Sequence, residues 1–260
     1  MIKASSLLPD LSRLKPGDTY LLPDCDIEGN LLLPRALSGS PNKFIRIVGQ
    51  PNTRILATDY SKAALGGGGC KWLRVIKVHT VGGLNGFQFS QNGDEYDPLK
   101  MIEQIYLVDC IAEDPRDDCF KLNGGRQVHL VRCHGIGGRD QIVDFLGIRG
   151  GSIRASALHG AICAITCKGG TSDVDIIGNT IYACVDGIHY GEKTAERWRA
   201  PWTDAPAERL SIVNNTIQVT GNPIALAKGV DGSVAQLLRD NMLMTTKKAR
   251  GQMAPLVEVY

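Results

Sequence analysis

Lys121, Asp144, Arg149 and His189 are the residues of this chain best suited by type and spacing to move protons. Lys121 or Arg149 could take a proton from the carbon next to a uronic acid carboxylate, with a neighbouring Arg stabilising the enolate that forms. His189, in the run GIHYGE beside Glu192, is a further acid/base candidate. A second chemistry is offered by Asp117, Asp118, Asp140 and Asp186, because paired carboxylates about 5–9 Å apart suit glycoside hydrolysis. The competing reading of these aspartates is structural: Asp and Asn favour turns by bonding their own backbone, and Asn85 and Asn222 hold the same place without charge. Around these groups stand residues fit to bind a sugar chain, namely Arg126, Lys168, Glu192, Trp198, Trp202 and Tyr96.

Their spacing says what must position them. Leu107, Leu130, Ile153 and Ile176 lie 23 residues apart, and the windows LVDCIA, LVRCHG, IRASAL and IIGNTI recur with them. Three residues after each anchor, and after the later anchors Ile212 and Leu238, sits a small or amide side chain: Cys110, Cys133, Ser156, Asn179, Asn215 and Asn241. A second series, Asp117, Asp140, Cys163 and Asp186, keeps the same step. A fixed period built from short apolar alternations and Gly/Asn/Asp turns signals a solenoid with one repeat per coil. Runs such as VHLV, VDII and GIHY alternate with period two and show no helical spacing, so the coils are made of strands. The fold class expected is all-β, a right-handed parallel β-helix, with handedness taken from the general rule for parallel crossovers. Equivalent residues then stack about 4.8 Å apart, and the small and amide side chains become one ladder.

A solenoid needs capped ends. Residues 5–14 are expected to form a short amphipathic helix over the first coil, giving a cap over 1–17, a β-helix over 18–246 and a cap or subunit-contact tail over 247–260. The segment 60–70, with four consecutive glycines, reads as a loose connection. Extra residues enter one corner of the coil at 91–101 and 193–208, from coils four steps apart, which makes a groove with two walls. Tyr96 stands on one wall, and Trp198 and Trp202, flanked by Arg197 and Arg199, on the other. The floor between reads KLNGGR (121–126), DFLGIR (144–149) and CKGGTS (167–172). Arg126 and Arg149 share one column and Lys121 and Asp144 another, with Lys168 one residue further along. A cationic trough suits an anionic chain, although Lys121–Asp144 also reads as a plain ion pair between coils.

Composition narrows the partners. The net charge of +2 makes no global case for nucleic acid, and the apolar runs are too short to span a membrane. The N-terminal residues lack the apolar core of a secretory signal, and eight cysteines without a CxxC pair read as packed thiols of a protein folded in the cytoplasm. The histidines give no metal-ligand spacing, so no metal site is assigned; Ca²⁺ bridging acidic turns is the one cofactor left open.

The segments LKPGDTYLL and SGSPNKFIRIVGQPNTRIL (38–56), and φxφxxN windows such as VDIIGNTIYACVDGIHYG (174–191), resemble the pectin-lyase-like superfamily of right-handed parallel β-helices. The first two look like the opening coils of its chondroitinase- and alginate-lyase-type members. The resemblance covers most of 15–246 and implies the fold; it implies a lyase's catalytic Lys and Arg only by likeness of face, at Lys121 and at Arg126 or Arg149. Two functions follow, the first as the main reading and the second as its alternative. One is a virion-associated, tailspike-like protein that recognises a surface polysaccharide, assembles as a homotrimer or with other virion proteins through residues such as Phe120 and Val143, and reaches the outside by lysis. The other is a polysaccharide lyase or glycoside hydrolase acting on a uronic-acid-containing glycan.

Overall fold

The computed structural model describes residues 1–93, 97–192, 194, 200–227 and 238–245, and the backbone of 257–259. The chain winds as a parallel β-helix with three faces, and every pairing between its described strands is parallel. Ten short strands stack on one face, among them Ile111–Glu113, His134–Ile136, Ala157–His159 and Thr180–Cys184. We call it the short-strand face. The groove face carries Leu31–Leu32, Leu65–Gly68, Phe87–Ser90, Cys163–Lys168, Asp186–Tyr190 and Ile224–Leu226. The flank face carries Lys71–Ile76, Ile102–Val108, Thr171–Ile177 and Ser211–Val213. In the two middle coils the strands Phe120–Val131 and Gln141–Arg154 run through the groove and flank faces without a break.

The anchors stack as their spacing requires. Leu107 pairs with Leu130, Leu130 with Ile153, Ile153 with Ile176, Ile176 with Ile212 and Ile212 with Leu238, all buried or half-buried. The residue between anchor strand and ladder residue takes a left-handed conformation at Asp109, Arg132, Ala155, Gly178, Asn214 and Asp240. That turn points the ladder side chain inward, where it serves backbone groups the turn would leave unmade. Ser156 N–H donates to Asn179 Oδ1 (3.0 Å), Asn179 N–H to Asn215 Oδ1 (2.9 Å) and Asn215 N–H to Asn241 Oδ1 (2.9 Å). Asn179 Nδ2 also donates to the carbonyl of Ile153, and Cys133 Sγ to that of Leu107. All eight cysteines are free thiols and seven are buried, as packed thiols should be.

Three expectations need correction. The second series slips by one residue, because Gln141 pairs with Cys163, a step of 22. The true column is Asn85, Asp118, Gln141, Cys163, Asp186 and Asn222, tied where Asp118 N–H donates to Asn85 Oδ1 and Gln141 N–H to Asp118 Oδ1. Phe120 and Val143 make no subunit contact: both are fully buried, and Phe120 stacks on Phe87 with ring centroids 5.3 Å apart. The glycine run is not a loose connection but the strand Leu65–Gly68 on the groove face. The short N-terminal helix is present as expected, a 3-10 turn, Ala4–Leu7, followed by one α-turn, Leu8–Leu11, with Ala4, Leu7 and Leu11 buried against the core. Of the tail 247–260, the backbone strand Val257–Val259 pairs with Ile224–Leu226; the rest lies outside the described residues.

The ladder makes a stability prediction. Asn179→Ala strands the buried Ser156 N–H and Ile153 carbonyl, and costs about 2–6 kcal/mol at roughly 1–3 kcal/mol per orphaned group. Asn179→Ser, which copies Ser156 in the same column, costs less. Guanidinium denaturation midpoints of the two variants check both values and their order.

Candidate functional site

Alternation along the groove-face strands sends every second side chain outward. One outward column runs Gln88, Lys121, Asp144, Thr166, His189, Ala225. Around its middle lies a compact charged centre. Lys121 Nζ sits 2.6 Å from Asp118 Oδ2, 3.2 Å from Asp144 Oδ2 and 3.6 Å from Asp117 Oδ2. Lys168 Nζ lies 3.3 Å from Asp144 Oδ1 and 3.3 Å from Glu192 Oε2. The Asp118 and Asp144 side chains are buried, while both lysines keep an edge open to solvent. Each buried carboxylate thus has an ammonium beside it, the condition for burying such a charge at all.

Together with Asp140, five carboxylates face two ammoniums, and proton affinities shift accordingly. Burial raises the Asp118 carboxyl, and Asp144 and Asp117 push the same way against the pull of Lys121, to about 7. Burial, then Asp117, likewise raise Asp140. Burial alone would lower the Lys121 and Lys168 ammoniums; Asp144 above all reverses this, and both are raised. Lys121 is therefore a poor base and a firm cation.

The same geometry bears on a metal. Carboxylate oxygens of Asp117, Asp118 and Asp140 lie within 4.8 Å of one another, a donor set hard cations favour. Yet both oxygens of Asp118 are engaged, one by the Gln141 N–H and one by Lys121 Nζ. The Lys121 ammonium already fills the place beside Asp117 and Asp118, so these residues as arranged do not fit Ca²⁺.

His189 completes the column two coils beyond Asp144. Its Nε2 lies 3.1 Å from Asp186 Oδ2, which fixes the ring. Lys168 is two register positions along from the Asp144 column rather than one, since Leu146 pairs with Lys168, and this keeps its side chain on the groove side. Trp202 Nε1 donates to the Gly170 carbonyl at 2.8 Å, which holds the indole at the corner just past Lys168. Tyr96 and Trp198 lie outside the described residues.

Lys121, Asp144, Lys168, Glu192 and His189 are thus brought to one face, with Trp202 at its corner. Arg126 and Arg149 are not. They share a column, but on the flank face, beyond the corner where Gly124 and Gly147 adopt positive φ; Arg126 is exposed and bridges Glu103 at 3.1 Å. The residue that sequence reasoning undervalued is Asp118. Its neighbour Asp117 and the Lys121 three places on were a usable signal, hidden by the ordinary habit of Asp to sit in turns.

No protein-family model matches this chain, and no curated protein matches it. Among solved structures it is similar to the crystal structure of an alginate lyase from Paenibacillus sp. str. FPU-7, with a TM-score of 0.61 and 13% identity over 100% of this chain and 97% of that one. At that identity the likeness shows the fold.

Titration of Asp118 is visible in stability. Its folded pKa lies above the ordinary carboxylate value of about 4, so the folded state binds the extra proton between about 4 and about 7. Stability is therefore fuller below that window and declines as pH rises through it. Asp118→Asn flattens this decline, which denaturation at a series of pH values measures; an unchanged slope assigns the titration elsewhere.

Proposed function

We propose that this protein cleaves a uronic-acid-containing polysaccharide by β-elimination in the groove over Lys121, Asp144, Lys168 and His189. The observation that carries the reading is the pair of partly open ammoniums, Lys121 and Lys168, held on one face with an Asp-oriented imidazole. Elimination needs a cation to neutralise the uronate carboxylate, a base for the proton beside it and a proton for the departing oxygen. Lys168 meets the carboxylate. His189, oriented by Asp186, takes the proton from the carbon. Lys121, held protonated by Asp118 and Asp144, stabilises the charge on the departing glycosidic oxygen, and water supplies that oxygen's proton. The C–H and C–O bonds break, a carbon–carbon double bond forms, and the proton gained by His189 returns to solvent. The similarity in fold to the crystal structure of an alginate lyase supports this choice over a recognition-only, virion-associated role.

Hydrolysis is the second reading, favoured by one observation: burial raises the Asp118 and Asp140 carboxyls, and a raised carboxyl is what a glycosidase's general acid requires.

The experiment is incubation with alginate, polygalacturonate and hyaluronate, following ultraviolet absorbance and reducing ends together. Elimination raises both; hydrolysis raises reducing ends alone; neither rising with any of these polymers refutes cleavage of this class. His189→Ala lowers kcat by roughly 10²–10⁴, the usual worth of a general base. Arg126→Ala, which removes an exposed flank pair, lowers it less than about fivefold.

A further inference from the structure

Over much of its surface this solenoid stacks charges of opposite sign on successive coils. Arg54 meets Asp26, Arg132 meets Asp109, Arg126 meets Glu103, Arg154 meets Asp175 and Arg209 meets Asp173, each within 3.1 Å. One rung of the flank face departs from this. Ile45–Val48 pairs with Lys71–Ile76 so that Arg46 lies directly on Arg74. Arg46 has Thr19 on its other side and Arg74 has Tyr106, so the column brings no carboxylate to either guanidinium. Neither side chain forms an ion pair or a hydrogen bond among the described residues. Glu103, which pairs with Lys71 in the neighbouring column, is held by Arg126. Arg126 and Arg149 also share a column, but there Glu103 stands on the far side of Arg126. Like charges directly opposite on paired strands weaken the pairing, so the Arg46–Arg74 rung carries a cost that its neighbours avoid.

The pattern occurs twice in succession. KFIR (43–46) and KWLR (71–74) each place a lysine, an aromatic ring, an inward apolar residue and an arginine on consecutive coils. The rings clamp Arg74: its guanidinium carbon lies 4.2 Å from the Phe44 centroid and 5.2 Å from that of Tyr106. Its Nε is buried there with no acceptor. Trp72 takes a φ of 53°, a costly conformation for a bulky residue, and its half-buried ring meets Phe44 edge-on at 5.4 Å. On the other side of the rung stand Val48 and Ile76, outward and half-buried. Two guanidiniums about 4.8 Å apart thus lie between an indole and an aliphatic strip. Such a fork takes a carboxylate, and the strips beside it take the C–H face of the ring that bears it. The column continues as Tyr106 and His129, so it offers one charged rung and no track for a phosphate backbone.

We propose that the Arg46–Arg74 rung is a binding site on the flank face, separate from the groove, for uronate residues of an acidic polysaccharide. It lies two coils N-terminal to Lys121, about 10 Å along the axis, and around the corner where Gly124 and Gly147 turn the chain. A polymer held there stays on the surface while the groove takes another stretch of it. The identity of the polymer rests on the cleavage reading, but occupancy of the rung needs no turnover.

The test follows the arginine Nε–Hε signals by NMR during titration with tetramers of mannuronate, guluronate and galacturonate. A neutral mannose tetramer and a thymidine oligonucleotide are the controls. An acidic tetramer is expected to shift Arg46 and Arg74, and the neutral one to leave them in place. Arg46→Glu gives Arg74 the carboxylate it lacks; it is expected to weaken this binding roughly tenfold or more and to raise the denaturation midpoint, so that lost binding is not lost folding. Should that variant not fold, Arg46→Gln carries the same expectation for binding. Acidic tetramers that shift only Lys168 and His189, or that bind the variant as they bind the wild type, overturn the flank site and leave the groove. Arginine shifts produced by the oligonucleotide and by no acidic tetramer overturn it as well. Arginine shifts that the variant abolishes, in a protein that cuts no polymer, keep the site and sink the cleavage reading.

Discussion

Everything in this molecule depends on parallel backbone pairing between successive coils. It fixes the rise, and so decides which side chains become neighbours: residues some two dozen apart in the chain sit one above another, while residues five apart can lie on different faces. Lys121 and Asp144 meet because their strands are paired, and Lys121 and Arg126 part because a corner lies between them. Side chains maintain the pairing at the turns. The amides of Asn179 and Asn215 satisfy backbone groups that neither strand reaches, so the inward ladder is the device that lets the corners close without orphaned polar atoms.

On that scaffold the charged centre is an exercise in compensation. A buried Asp144 is tolerable because two ammoniums flank it, and those ammoniums are held protonated because of it. The surplus of carboxylates then falls on Asp118 and Asp140, whose protons become easier to keep. Burial, with the neighbouring carboxylates added to it, is what brings the Asp118 carboxyl to about 7.

The fold was legible in the sequence because its signal is repetition, and repetition survives substitution: Cys133, Ser156 and Asn179 are chemically different yet mark one column. The site was legible only in part. Lys121, Asp144, Lys168, Glu192 and His189 share a face because strand alternation and a near-constant step place them there. The floor that joined them to Arg126 and Arg149 in sequence terms is broken by Gly124 and Gly147, and a glycine by itself does not announce whether the chain bends or continues. The 22-residue step at Cys163 displaced a whole column by one letter, which is enough to send a side chain to the opposite side of a strand. The glycine strand 65–68 escaped because glycine has low strand propensity, and only its partners reveal that it is paired.

The unbroken strands Phe120–Val131 and Gln141–Arg154 give the middle of the solenoid a different mechanical quality from its ends. Where other coils are hinged at the corner, these two form a continuous girder around it, sharing ten paired positions. In a quasi-one-dimensional stack, fraying starts at the termini and travels inward coil by coil. Lys121 and Asp144 are mounted on the segment that such unravelling reaches last, so their alignment should outlive the order of the rims around them.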